Sequence, residues 1–317
     1  MEDNTKIKSG IVMGDFHINS TVAVIKPGIQ VGEFICHPNY TQRWLWECLM
    51  DARQKIVELP GKKILFLNGD AGEVDERQRS YQVMTNNPAV IQTLIYETLE
   101  PILDVVDEVY VIRGTEAHTG KSGWIEEAFA NDLVHVVRCE DRSVSEDVTE
   151  EQEEFGARIL KRLKKKSAKE INEKPPEEKK ITYASWHQVR IGVAGVKMDI
   201  CHHTSMGKLP WTAPNVANKL AVLSIFDYTE HMKAEIPNLV FRSHNHMWAD
   251  SYDNYDVVRA VCMAAWTTAT EYVYRIGMEN RLADIGFAYT ICENGDYDLK
   301  KVKYPHKDSR RVWRLTA

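Results

Sequence analysis

The chain reads as an α/β protein on three observations. Short runs rich in Val, Ile and Leu recur along it, the composition of strands buried on both faces. Longer stretches with apolar residues at helical spacing lie between them. Each apolar run also ends on a cluster of Asp, Glu or His, and α/β sheets place their ligands at the carboxyl ends of strands.

The elements follow in order. GIVMG, the first strand, leads into Asp15-Phe16-His17. TQRWLWECLMDARQKIVEL is expected as a helix with Thr41 as N-cap, since Trp44, Leu45, Cys48, Leu49, Ala52 and Ile56 share one face. KKILFLN is the second strand and opens on Gly69-Asp70, with Glu73 and Asp75 just beyond. PAVIQTLIYETLEPIL is the next helix, and VDEVYVI the strand after it, stopping at Arg113-Gly114 before Glu116 and His118. VKMDI runs through Cys201 into His202-His203. PNVANKLAVLSIFDYTEHM is again helical, and NLVF leads into Ser243-His244-Asn245-His246.

Five loaded strand ends outweigh any one of them. Asp15-x-His17 or Gly69-Asp70 alone is an ordinary turn. His244-x-His246 is stronger, because alternate residues of an extended segment face one way. His202 and His203 cannot both point inward from extended chain, so one is a spectator. No Ser or Lys leads any cluster, and the whole suggests one metal site assembled from distant parts of the sequence.

Composition sets bounds on the rest. With 317 residues, 44% of them hydrophobic and 27% charged, the chain can bury a large core, and one domain over 1–317 is expected. No apolar run approaches the ~20 residues of a membrane span, and MEDNTKIKSG has no signal-peptide core, so a soluble, cytoplasmic protein without a membrane partner is expected. Six cysteines without a C-x-x-C pair exclude a disulfide framework and a zinc finger. A net charge of −6 argues against a broad grip on a polyanion.

Asp15-x-His17, Gly69-Asp70, Gly114-x-Glu116-x-His118, His202 and His244-x-His246, in this order, resemble the motifs of the calcineurin-like metallophosphoesterases, over residues 10 to 270. The resemblance implies a β-sandwich flanked by helices and a dinuclear phosphoesterase site. Asp15, His17 and His246 would hold one metal, His202 and His244 the other, and Asp70 would bridge them. A hydroxide held between the metals would attack in line. Oxygen and imidazole donors without thiolate suit Mn²⁺ best, with Fe, Zn²⁺ or Ni²⁺ as alternatives. The family's third motif has Asn after Gly, followed by His. Here Thr115 follows Gly114, so Glu116, or less well the Thr115 hydroxyl, would replace the Asn, and His118 would take the role of the imidazole that serves the leaving group.

The expected activity is hydrolysis of a phosphodiester, a nucleic acid or a nucleotide. A phosphomonoesterase of the same chemistry is the alternative, and a non-catalytic scaffold the more distant one. His203, Arg77 and Arg113 are candidate substrate contacts.

Between the third and fourth motifs lies a charged block, 140–180. EDRSVSEDVTEEQEE is acidic and RILKRLKKKSAK basic. Thr149 and Gln152 form a capping box, Phe155, Ile159 and Leu163 recur every four residues, and Pro175-Pro176 ends the pattern. A helical arm or lid is expected. Its charges either do nothing specific, or guide a polyanionic substrate, or pair protomers into a homo-oligomer.

Overall fold

The computed structural model describes residues 6–74, 82–140, 180–181, 185–204, 212, 215–269 and 282–306. The expected charged arm at 140–180 and the candidate Arg77 therefore lie outside the described residues, apart from the ends of the block.

The α/β class holds. Among the described residues thirteen strands and five α-helices follow one another, and most strands fall into two sheets. The first sheet takes β1 (Lys8–Met13), β4 (Lys62–Asn68), β5 (Glu108–Ile112) and β6 (Lys180–Ile181) in parallel, then β12 (Ile285–Glu293) antiparallel beside β1 and β13 (Asp296–Tyr304) antiparallel beside β12. The second has β8 (Val196–Cys201), β9 (Leu239–Arg242) and β11 (Arg259–Cys262) parallel at its centre. The edge strands β7 (Gln188–Val193) and β10 (Ala249–Asp250) run antiparallel. The short strands β2 (Gln30–Val31) and β3 (Phe34–Ile35) make a hairpin apart.

Alternation along the buried strands sorts the core into layers. Ile11, Met13, Leu65, Leu67, Val109 and Val111 face the helices α1 (Tyr40–Val57), α2 (Pro88–Leu103) and α4 (Trp124–Glu140). Their neighbours Val12, Ile64, Phe66 and Ile112 face Met198, Ile200, Leu239 and Phe241 of the second sheet. The outer side of that sheet is covered by α5 (Asn215–Phe226), whose Ala221 packs with Val240 and Ala260. Each such fully buried Val, Leu, Ile or Phe contributes about 1.5–3 kcal/mol.

The helix expected from Thr41 begins one residue earlier, and its cap is Asn39. The Asn39 side chain accepts from Gln42 N at 3.0 Å while Gln42 Oε1 accepts from Asn39 N at 3.1 Å. A reciprocal box satisfies two end donors where Thr41 would have satisfied one. Among the described residues no helix is long and apolar enough to cross a membrane.

The parallel centres matter most. β1, β4 and β5 deliver their carboxyl ends to one edge of the first sheet, and β8 and β9 deliver theirs to the second. The loops leaving these ends are tied together: Asp15 N donates to Gly69 O at 2.9 Å, His17 N to Asp70 O at 2.8 Å, and Ser243 N to His202 O at 2.9 Å.

Candidate metal centre

Two groups of donors meet at these strand ends. Asp15, His17 and His246 form one, and Asp70, His202 and His244 the other; within each, the donor atoms lie within 4.8 Å of one another. Asp15, His17, Asp70 and His202 are buried. Five of the six hold positive φ: Asp15 53°, His17 47°, Asp70 51°, His244 73° and His246 54°. Non-glycine residues avoid this region unless the surroundings impose it, and such residues gather at functional sites.

The hydrogen bonds decide where the imidazole lone pairs point. His17 Nδ1–H donates to Glu73 Oε2 at 2.7 Å, and His202 Nδ1–H donates to the carbonyl of Asn68 at 2.7 Å. An ionised carboxylate and a carbonyl only accept, so both Nδ1 atoms carry a proton and Nε2 is the nitrogen each ring turns to the interior. Nε2 of His17 lies 3.1 Å from Nε2 of His246, and Nε2 of His202 lies 3.1 Å from Asp70 Oδ2. Asp70 Oδ1 accepts from Thr115 N at 2.6 Å, whereas Oδ2 is buried with no hydrogen-bond partner of good geometry. A buried carboxylate oxygen without a well-aligned hydrogen bond needs positive charge beside it, from a proton on His202 or from a cation. This donor set fits divalent cations.

Charge in the cluster follows the same geometry. Burial opposes protonation of His202, but the carboxylates of Asp70 and Asp15 outweigh it and raise its pKa to about 10. Burial would raise Asp70, yet the charge of His202 holds it far below the usual carboxylate range. His244 is pushed down to about 4 by burial and by His202. Without a cation the site keeps protons where its donor atoms converge.

A second carboxylate shell lies behind the first. Glu73 takes His17 on one side and His118 Nδ1–H at 2.9 Å on the other. Burial alone would lower His118, but the hydrogen bond and charge of Glu73 raise it to about 9. Deeper still, Glu126 Oε1 accepts from Ala71 N at 3.3 Å, and burial followed by repulsion from Asp70 lifts its carboxyl to about 8. Glu73 stood at a loaded strand end without an assigned role, and Glu126 lay unremarked in a helix. Nothing in the sequence says which acid of a loop turns inward.

The third motif differs from expectation. Glu116 is exposed on the first turn of α3 (Glu116–Thr119) and belongs to neither donor group. The Thr115 hydroxyl sits instead beside the second group, 3.0 Å from His244 Nδ1 and 3.4 Å from His202 Nε2. Thr115 is the N-cap of α3, in extended conformation, and one helical step past it the next side chain already swings to solvent. Of the two imidazoles after β8, His202 is buried and His203 exposed, with its ring 5.0 Å from that of His202 and 5.5 Å from that of His244. Arg113 is engaged elsewhere. Its Nε donates to Ser185 Oγ at 2.7 Å and its Nη2 to Glu127 at 2.9 Å, so this guanidinium braces the loop.

No family model matches the chain, and no curated protein matches it. Solved structures match it at low similarity. Vacuolar protein sorting 29 of Cryptosporidium parvum is 7% identical, with a TM-score of 0.39, over 95% of this chain and 100% of that one. The same protein of Entamoeba histolytica, solved in complex with Zn²⁺, is 8% identical, with a TM-score of 0.35, over 93% and 98%. A protein of Streptococcus pneumoniae described as a predicted phosphoesterase is 8% identical, with a TM-score of 0.34, over 94% and 90%.

Proposed function

We propose that this chain is a dinuclear metal-dependent phosphoesterase of metallophosphoesterase-type sandwich architecture, acting on a phosphodiester such as a nucleic acid or nucleotide. One observation carries the reading. His17 and His202, from different sheets, are held by Glu73 and the Asn68 carbonyl in the tautomer that aims both Nε2 atoms at the unpartnered oxygen of Asp70. Asp15, His17 and His246 would hold one ion, His202 and His244 the other, and Asp70 both, with the Thr115 hydroxyl beside the second. Two bound divalent ions, Mn²⁺ first and Fe, Zn²⁺ or Ni²⁺ next, would supply Lewis acidity and an activated water.

The remaining residues handle protons and orientation. His118, held by Glu73, is protonated at neutral pH and positioned to donate to the departing oxygen, a contribution of about 10²–10⁴-fold for a basic leaving group. His203, exposed beside the second group, is the candidate contact for the substrate phosphate. Glu73 serves both sides of the reaction, since one carboxylate fixes the ring of a metal donor and that of the proton donor.

Asp70→Asn tests the reading directly. It removes the charge facing both groups, so phosphodiesterase activity should fall by roughly 10³-fold or more. Bound metal, measured by elemental analysis after loading with Mn²⁺, should fall with it. Parent-like turnover or full metal content in that variant would sink the proposal. Rates of the parent on mono- and bis-p-nitrophenyl phosphate separate the diesterase from a monoesterase of the same chemistry.

A further inference from the structure

The helix α5 covers the second sheet with one face and leaves an unusual surface on the other. Val216, Ala217, Ala221 and Ser224 are buried. Val222, Leu223 and Phe226 point outward, 48%, 44% and 51% exposed, and form one continuous row at the i, i+1, i+4 spacing of a single helix face. Met232 lies exposed just past the turn that follows, and His231 packs against the Phe226 ring at 5.0 Å. A solvated helix would carry charged residues on this face. Large apolar side chains in a contiguous patch mark an interaction surface.

The charges bordering the row identify the partner. Lys219 lies one turn before Leu223 and Asp227 one turn after it, four residues away on either side and in line with it. Both are exposed, and among the described residues neither has an ionic partner. Rotation by 180° about an axis through Leu223 lays a second α5 antiparallel on the first. Leu223 then meets its own copy, Phe226 falls opposite the stretch at Leu220, and Lys219 meets Asp227 of the other copy at both ends. Each end lies ~6 Å along the axis from the centre, at 1.5 Å per residue. A patch that is its own electrostatic complement under a two-fold is what an isologous dimer requires. Lys219 and Asp227 cannot reach one another within a chain, being about two turns apart.

We propose that a second copy of this chain docks on the outer face of α5, forming a two-fold dimer with the helices antiparallel, Leu223 on the axis and two Lys219–Asp227 pairs at its ends. One helix face is smaller than the ~800 Å² per partner of a standard interface, so the association is concentration-dependent rather than permanent. The proposal is independent of the metal centre, which lies at the strand ends.

Sedimentation velocity on the full chain over a concentration series tests it, with circular dichroism confirming that each variant folds. The parent should show a monomer–dimer equilibrium. Lys219→Glu and Asp227→Lys should each raise Kd by about tenfold or more, because symmetry places two like-charged contacts in the interface. Lys219→Glu combined with Asp227→Lys should recover the parental Kd, since the pairs re-form with their signs exchanged. Leu223→Asp should leave only monomer. A parent that stays monomeric throughout overturns the proposal. So does a dimer indifferent to Leu223→Asp, which would place the contact elsewhere, or a double variant as weak as either single one.

Discussion

At the scale of single residues, Thr115 and Glu116 occupy different surroundings although they are neighbours in sequence. A carboxylate is the conspicuous donor in a sequence, and a neutral hydroxyl beside it is easily passed over. The backbone decides otherwise, since Thr115 is the cap of α3 and faces His244 while Glu116 begins the helix and faces water. The two positions should therefore respond differently to truncation. Thr115→Ala removes a group in contact with both imidazoles of the second donor group. The Mn²⁺ concentration giving half-maximal activity should rise by about 10-fold, the lower end of what supporting groups around a metal typically contribute. Glu116→Ala should leave that concentration within about twofold of the parent. The reverse pattern would return Glu116 to the metal shell. Asp15, His17, Asp70, His202, His244 and His246 were legible because each is a charged or imidazole group directly after an apolar run. Glu73 and Glu126 were not, because their roles depend on which way a loop or helix turns.

At the scale of elements, strands and helices were largely readable from periodicity. α2 begins and ends where its apolar pattern does, while α1 begins one residue before the expected cap because a box formed by Asn39 and Gln42 competes successfully for the end. What periodicity could not convey is the backbone beyond the strands. Five donor residues take left-handed conformations, and two glycines let the loops approach one another. A Cβ on Gly114 would lie 2.0 Å from Asp70 Oδ1 and 2.2 Å from Asp70 N. Gly114 has no positive φ, so the cost of Gly114→Ala is steric and falls on Asp70 itself. That variant should lose about 1–3 kcal/mol of stability, as overpacked sites do, and should bind less Mn²⁺ by elemental analysis. Gly192→Ala is the control. Its Cβ meets nothing within 4 Å, so melting temperature and metal content should stay near those of the parent. Unchanged metal content in Gly114→Ala would mean that the loop after β5 can retreat without disturbing Asp70.

At the scale of the whole molecule, the donor groups lie on the seam between two sheets that are also held by side-chain packing and by hydrogen bonds from Asn68 to Cys201 O and Ser243 Oγ. Asp15, His17 and Asp70 follow strands of the first sheet, and His202, His244 and His246 follow strands of the second. The order of these residues was readable in the sequence. Their division between two sheets was not, since strand order depends on pairings such as β1 with β12 across nearly the whole chain. Ions bound across that seam stabilise the folded chain only, by about 2.7 kcal/mol when free ion exceeds Kd a hundredfold. For a chain of this size that is about 4 °C in melting temperature. Protons compete for the same place. In the metal-free protein the His202 pKa, about 10, lies above its unfolded value near 6.5, so its contribution is fully present below about pH 6.5 and fades as pH rises toward 10. His118, raised to about 9, loses its contribution over the lower part of the same window. A metal bound as proposed would displace the His202 proton, so its affinity would rise with pH. The metal-free protein therefore weakens over the range in which the loaded protein gains. The gap in melting temperature between Mn²⁺-loaded and chelator-treated protein should widen steadily from pH 6 to about pH 9. In Asp70→Asn it should nearly vanish at every pH, because both donor groups lose the carboxylate they share. A gap that is constant with pH in the parent would show that the ions do not displace protons from these imidazoles, and a gap surviving in Asp70→Asn would place them at another site.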